Sequence, residues 1–249
     1  MDTLTLLIVT LIFSLALVQS LFGVGLLLLG TPLLLALGLG YEQTLLWLLP
    51  ASAALSWSQV WELRNEKLAN GYRARFFGLC MPVLLLALAL SLHLDLLVPI
   101  KWLVLGLLCL SIALRLKSSW FEQFKRLLAG HLSLGLIVTG LIHGLSNMGG
   151  SVLTVLAAGL YARKRQVLAA VSLDYAFMAS AQLGLLLLLK PALWSSHYLL
   201  GSALALLARY LIGRQLFALT QDGLYQQLIT LLLALNAGLL GWTLLGMAA

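Results

Sequence analysis

The chain has 249 residues, of which 62% are hydrophobic and only 9% are charged, with a net charge of +7. Because soluble domains contain about 25% charged residues, this composition excludes an ordinary soluble enzyme and a disordered chain. A bilayer is crossed by about 20 consecutive apolar residues in a helix. The composition therefore predicts an all-α polytopic membrane protein.

Eight apolar segments follow one another along the chain, with polar breaks too short for a soluble domain. The segments are 4–38, 44–61, 76–92, 97–114, 127–160, 166–189, 197–213 and 223–247. Segments 4–38 and 127–160 are too long for one crossing and short for two, and each is interrupted by glycine. We expect each of them to be a hairpin of broken or short helices, which gives about 8–10 membrane segments in total.

Lysine and arginine are concentrated in four regions, which are 62–75, 115–126, 161–165 and 209–222. The breaks near 40, 95 and 193 hold only Lys101 and Lys190. The positive-inside rule places the basic regions in the cytoplasm. We therefore expect a multi-pass protein of the cytoplasmic (inner) membrane with both termini outside. Its basic charge then needs no nucleic acid as a partner, because no separate basic domain exists.

The order of the segments repeats once. Hairpin 4–38 and the three helices after it match hairpin 127–160 and its three helices, with starts offset by 121 to 126 residues. The first repeat (1–120) begins outside and the second (121–249) begins inside, which predicts two inverted-topology repeats in one membrane domain. Interrupted helices at corresponding positions of such repeats are typical of a transporter's substrate site.

Glycines and small polar residues cluster at the two interruptions. A helix that begins at membrane depth presents unpaired N–H groups and the positive end of its dipole, which together bind a small anion. Neighbouring side chains add hydrogen-bond donors. The predicted substrate-binding residues are Gln19, Ser20, Gly23, Gly25, Thr31, His143, Ser146, Asn147, Gly149, Gly150 and Ser151.

Structural roles remain as alternatives for these residues. The glycines would also permit close helix packing, and His143 could bond to a neighbouring helix. Ser146 and Asn147 could cap the next helix. His143 and Asp174, the one acid inside an apolar segment, are candidates for proton coupling. Asp174 could instead pair with Arg163 or Arg165.

This layout resembles the sulfite exporter TauE/SafE family of membrane transporters. The resemblance rests on the duplicated order over nearly the whole chain and on two clusters, Gly23-Val24-Gly25 with Pro32 and Gly149-Gly150 with Ser151. It implies a secondary transporter that exports a small sulfur-containing oxyanion, sulfite or an organosulfonate. The inverted repeat adds the expectation of alternating access around a midplane anion site, and Asp174 and His143 add that of proton coupling.

A passive anion channel and an accessory membrane subunit are the alternative functions. The sequence contains no GxxxxGK[ST], GxSxG or HExxH motif, and these motifs mark nucleotide-binding, hydrolase and zinc sites. We therefore expect no enzymatic activity, no catalytic residue, no metal and no cofactor. The expected partners are a small anionic substrate, membrane lipid and a second copy of the chain in a homodimer.

Overall fold

A computed structural model describes residues 3–94, 97–161 and 163–219, with a few separate positions between 234 and 245. The predicted segment 223–247 and the C-terminus therefore fall largely outside the described residues. Regular structure within them is helical. The helices are α1 (Thr3–Phe22), α2 (Leu26–Ala36), α3 (Tyr41–Glu62), α4 (Tyr72–His93), α5 (Leu97–Leu116), α6 (Ser118–Gly130), α7 (Leu132–Ser146), α8 (Gly150–Leu160), α9 (Lys164–Leu189) and α10 (Ser196–Leu219).

Four of the described helices are long and apolar enough to cross a membrane, namely α1, α4, α9 and α10. Helices α2, α7 and α8 and the Pro99–Leu110 part of α5 are apolar but shorter. The predicted all-helical class is confirmed, and the four long apolar helices indicate a membrane protein.

The region 115–126 differs from the prediction, which made it a polar loop. It is mostly helical, because α6 covers residues 118–130, and the second hairpin consequently begins at Leu132 rather than at 127. Trp120, Phe124 and Leu127 recur at helical spacing and give α6 one apolar side. Phe124 packs against the core while Trp120 is exposed. The charged residues between them made this amphipathic helix look like a loop.

Helices α3 and α9 lie antiparallel at the centre of the molecule. The Trp57 indole N–H donates to Ser180 Oγ at 3.1 Å, and Ser172 Oγ donates to Gln59 Oε1 at 3.2 Å. Consecutive leucines of α3 at 45–46 and 48–49 are fully buried, as expected of a helix that is apolar around most of its circumference. Helix α1 packs on α10, and α7 packs on α4.

Ion pairs join the connecting segments at both ends of this bundle. At one end, which we call the outer end after the predicted orientation, Lys190 Nζ lies 3.1 Å from Glu42 Oε1. At the opposite, inner end, Arg165 Nε lies 2.8 Å from Glu66 Oε1. Each pair therefore joins segments that the charge distribution had assigned to the same side of the membrane.

The contact between α7 and α4 gives a first prediction. A Cβ on Gly144 would lie 2.7 Å from Ala87 Cβ and 3.1 Å from Leu88 N, whereas one on Gly184 of α9 would meet nothing within 4 Å. Overpacking of this kind costs about 1–3 kcal/mol. We expect Gly144→Ala to lower the thermal midpoint of the detergent-purified protein by several degrees and Gly184→Ala to leave it unchanged. Equal midpoints would contradict this packing.

Candidate functional site

Two helical hairpins are each interrupted by three residues. Residues 23–25 separate α1 from α2, and residues 147–149 separate α7 from α8. Helices α2 and α8 have 11 residues each. At 1.5 Å per residue they extend about 16 Å, roughly half the ~30 Å thickness of the hydrocarbon core. Helix α2 runs from its break to the outer end, and α8 runs from its break to the inner end. Each break is therefore separated from an end of the bundle by the length of one of these helices and lies well inside the bundle. The prediction of broken hairpins is confirmed.

The two breaks share one backbone geometry. Gly23 and Asn147, 124 positions apart, have positive φ angles of 74° and 63°. The N–H of each donates to the carbonyl four residues earlier, that of Gln19 or His143, at 2.8 Å. Glycine adopts this conformation freely, and asparagine tolerates it better than most residues. The second break therefore has an amide side chain where the first has none.

Gly25 and Gly149 occupy matching positions and have a packing role. A Cβ on Gly25 would lie 2.7 Å from Gln19 N, and one on Gly149 would lie 2.6 Å from His143 Cβ. In each hairpin the chain turns back directly against the end of the preceding helix. Close packing, the structural alternative for the glycines, accounts for these two.

Two glutamines missed by the sequence analysis hold the breaks in place. Gln59 Nε2 donates to the carbonyl of Gln19 at 3.1 Å, and Gln182 Nε2 donates to the carbonyl of His143 at 3.4 Å. The two glutamines are 123 positions apart. This is the offset of the predicted repeat, so a search at that offset could have found them.

The side chains of the first break are satisfied within the protein. Gln19 Nε2 donates to Ser52 Oγ at 3.1 Å and to Ser56 Oγ at 3.0 Å, and its Oε1 accepts from Leu26 N at 3.1 Å. Ser20 Oγ donates to the carbonyl of Ala16 at 2.7 Å. The Gln19 oxygen therefore caps the first N–H of α2, where an anion would otherwise bind.

The second break has no such cap. Among the described residues, no side chain caps α8 at Gly149. Ser146 Oγ donates to the carbonyl of Ile142, and Ser151 Oγ donates to that of Met148. Asn147 does not cap α8 either, contrary to the alternative considered above, because its Oδ1, the atom that would accept from a helix N–H, has no hydrogen-bond partner among the described residues. Its Nδ2 donates to Thr31 Oγ1 at 3.1 Å. This bond joins the tip of the second hairpin to the middle of α2.

Buried polar atoms without partners surround this break. Tyr175, on α9, faces His143 edge-on with 5.4 Å between ring centroids, and its hydroxyl oxygen lies against Gly150. An unsatisfied buried polar group costs about 1–3 kcal/mol, so a group of them calls for partners, which bound water or a ligand can supply. Within the described residues, the atoms that lack a hydrogen-bond partner here are His143 Nδ1, His143 Nε2, Asn147 Oδ1, Tyr175 Oη and Gln182 Oε1.

All four side chains of this group are fully buried. We call it the second-break cluster and define it as His143, Asn147, Tyr175 and Gln182. It contains two predicted site residues, His143 and Asn147, with Thr31 attached through Asn147. Sequence analysis missed Tyr175 and Gln182, which come from α9, 28 or more positions further along the chain. The structural alternative for His143, a hydrogen bond to a neighbouring helix, is formed by its carbonyl, which accepts from Gln182 Nε2 of α9 at 3.4 Å.

Asp174 lies beside Tyr175 in α9 and is fully buried. Its Oδ2 accepts a hydrogen bond from the Tyr72 hydroxyl, and its Oδ1 has no partner in the described part of the chain. Arg165 pairs with Glu66 instead, so the alternative of an Asp174–Arg165 pair is wrong.

Arg209 is a buried cation that the sequence analysis assigned to a polar region. It lies in a π-helical turn of α10 (Arg209–Gly213), is 3% exposed, and bonds to Glu62 at the end of α3. Glu62 follows Gln59 by one helical turn, so this ion pair lies just beyond the first break towards the inner end. The cationic side chain is thus near the first hairpin, not at the second-break cluster.

Comparison with known proteins identifies no relative. No family model, no curated protein and no solved structure matches the chain. The function therefore has to be inferred from the geometry of the breaks and from the layout of the sequence.

Proposed function

We propose that this chain is a secondary transporter that exports a small sulfur-containing oxyanion, sulfite or an organosulfonate, across the cytoplasmic membrane. The observation behind this proposal is the second-break cluster, whose unpartnered atoms surround the uncapped N-terminus of α8. Free N–H groups and the helix dipole attract an anion to such a terminus. The resemblance to the TauE/SafE family supplies the substrate class.

The second-break cluster offers both donors and acceptors. The Tyr175 hydroxyl and the neutral His143 imidazole can each donate one hydrogen bond, whereas Gln182 Oε1 can only accept. Gly150 lets the α8 backbone approach a ligand closely. An oxyanion that keeps one proton, such as hydrogensulfite, satisfies both kinds of group. The residues of the first break, whose polar groups are already bonded, have a supporting role.

We further propose that the two halves form inverted-topology repeats that alternate access to the site. The matched φ angles of Gly23 and Asn147 and the matched glutamines 59 and 182 support a repeat. The opposite directions of α2 and α8, towards the outer and inner ends, support its inversion. Interrupted helices in inverted halves are the arrangement in which transporters bind substrates near the midplane.

Proton coupling is assigned to Asp174, with His143 as a second candidate. Asp174 is adjacent in sequence to Tyr175 of the cluster and has no cationic partner among the described residues. An ionised carboxylate would repel a neighbouring anion, whereas a protonated one would not. Proton binding and anion binding would thereby favour each other.

Replacement of Asp174 tests this coupling. In proteoliposomes, Asp174→Asn is expected to remove accumulation driven by a pH gradient while exchange of sulfite without a gradient continues, because the amide cannot release a proton. Tyr72→Phe is the matched control, since it removes the hydrogen bond to the carboxyl group but keeps the titratable site. Gradient-driven accumulation by Asp174→Asn would refute the assignment.

Counterflow of labelled sulfite or sulfoacetate into proteoliposomes tests the transport function itself. A carrier is expected to accumulate the label transiently against an excess of unlabelled substrate inside the vesicles, and to saturate. A passive channel would move the label without counterflow or saturation. An accessory subunit would move nothing by itself, and either of these results would contradict the proposed function.

A further inference from the structure

A cavity of about 590 Å³ opens at the outer end, between the start of α3, the end of α4 and the segment after α9. We call it the outer cavity. Its lining includes Tyr41, Glu42, His93 and Lys190. Ligand sites for small molecules have volumes of about 300–1,000 Å³, so the outer cavity has room for a small anion and several waters.

The outer cavity contains an ion pair that an anion can exchange. Lys190 Nζ lies 3.1 Å from Glu42 Oε1, and the two side chains are 40% and 35% exposed. A pair this exposed contributes only about 0–1 kcal/mol. A second anion could therefore replace the Glu42 carboxylate beside Lys190 at little cost.

The N-terminus of α3 opens into the same cavity. Gly40 precedes this 22-residue helix and lines the cavity, and no side chain in the described part of the chain caps the helix there. Glu42 lies in the first turn, where the helix dipole favours a negative charge. Tyr41 also lines the cavity, is 6% exposed, and has a hydroxyl group without a hydrogen-bond partner among the described residues. The Tyr41 hydroxyl oxygen is buried and not exposed to the cavity, so Lys190 and the helix terminus are the two elements of an anion site here.

The outer cavity lies close to the second hairpin. Leu92 of α4 lines the cavity, and Leu88 of the same helix packs on Gly144 near the tip of that hairpin. Four residues of helix separate the two leucines, a rise of about 6 Å. The outer cavity therefore lies about one turn of α4 from the contact between α4 and the second hairpin.

We propose that the outer cavity is a second anion-binding station on the path of the exported oxyanion. Lys190 is the cation of this station. It pairs with Glu42 while the station is empty and with the anion when the station is occupied. The ligand is a small sulfur oxyanion. This inference rests on the proposed function, because it takes the substrate and its outward path from there.

Charge-selective cysteine labelling tests the station without measuring transport. The two native cysteines, Cys80 and Cys109, are first replaced by serine. Gln43, which lines the cavity, is then replaced by cysteine, and this cysteine is labelled in phosphatidylcholine proteoliposomes. The reagents are membrane-impermeant methanethiosulfonates, one with a sulfonate and one with a trimethylammonium group. Sulfoacetate is the protecting anion, because it does not attack these reagents as sulfite would.

Removing Lys190 and removing Glu42 should have opposite effects. The first readout is the rate of labelling by the anionic reagent divided by the rate with the cationic reagent. Lys190→Gln is expected to lower this ratio about fivefold and to remove protection by external sulfoacetate, because one nearby positive charge is lost. Glu42→Gln is expected to raise the ratio about fivefold and to strengthen protection, because one nearby negative charge is lost. Lys164→Gln, which removes a cation at the inner end, is the matched control and should change neither measurement.

Three results would overturn the station. The first is that Gln43→Cys is not labelled from outside. The second is that sulfoacetate protects Lys190→Gln as well as its parent. The third is that protection requires phosphatidylglycerol in the vesicles, which would assign the cavity to a lipid headgroup. If counterflow occurs but protection does not depend on Lys190, the proposed function stands and the station fails. Lys190-dependent protection without counterflow would support anion binding at the station and refute carrier transport.

Discussion

Gly150→Ala is expected to abolish sulfite counterflow and to lower the thermal midpoint of the protein by several degrees. A Cβ at this position would overlap the Tyr175 hydroxyl oxygen and lie 2.6 Å from Tyr175 Cζ. Tyr175 is fully buried, so its ring cannot move aside into solvent. Either the phenol or the start of α8 must move, and both belong to the proposed site.

Two controls separate the site from the fold. Gly106→Ala adds a methyl group to α5 where nothing lies within 4 Å, and it should change neither transport nor stability. Tyr175→Phe removes only the hydroxyl, which has no partner in the described structure, and should lower sulfite affinity about tenfold with little loss of stability. Normal counterflow by Gly150→Ala would show that Tyr175 and the start of α8 are not part of the substrate site.

Asn147→Gly should separate binding from stability at the same site. Glycine accepts the positive φ of 63° found at this position, so the backbone of the break is preserved. The variant loses the side-chain amide, which belongs to the second-break cluster and joins the hairpin to Thr31. We expect sulfite affinity, measured by isothermal titration calorimetry, to fall at least tenfold, about 1.4 kcal/mol, with a small change in thermal midpoint.

Asn147→Ala is the matched variant for this test. It loses the same amide but forces a residue with a Cβ into the left-handed region, which costs about 1–2 kcal/mol. It should therefore lose the same affinity as Asn147→Gly and unfold at a lower temperature. Wild-type affinity in both variants would exclude the Asn147 amide from the binding site.

The broken hairpins could be predicted because two local signals agree. The segments around Gly23 and Gly149 have lengths that fit neither one crossing nor two, and glycine interrupts both. The ends of the bundle could be predicted because the charges that mark them are confined to short breaks. Both signals lie within single segments of the sequence.

The partners inside the bundle could not be predicted, because they come from distant segments. Tyr72 and Asp174 are 102 positions apart, and Thr31 and Asn147 are 116 apart. No local pattern specifies which apolar helices pack together, so a buried polar residue cannot be assigned its partner. The offset of the predicted repeat is the one long-range signal, and it leads to Gln59 and Gln182.

Helix α6 was missed for a different reason. Its charged residues are frequent enough to suggest a loop, and its apolar residues are spaced along one side instead of forming a continuous run. An amphipathic helix of this kind contains no continuous apolar segment, so hydropathy alone does not distinguish it from a polar loop.

Thermal stabilisation by a panel of oxyanions tests the central claim, that the second break binds a sulfur oxyanion. The detergent-purified protein is heated with sulfite, sulfate, thiosulfate, sulfoacetate, phosphate or acetate, since a bound ligand raises the midpoint by mass action. We predict a saturable rise with sulfite or sulfoacetate that exceeds the rise with phosphate or acetate and is lost in Asn147→Gly. No rise with any of these anions, or an equal rise in Asn147→Gly, would contradict the claim.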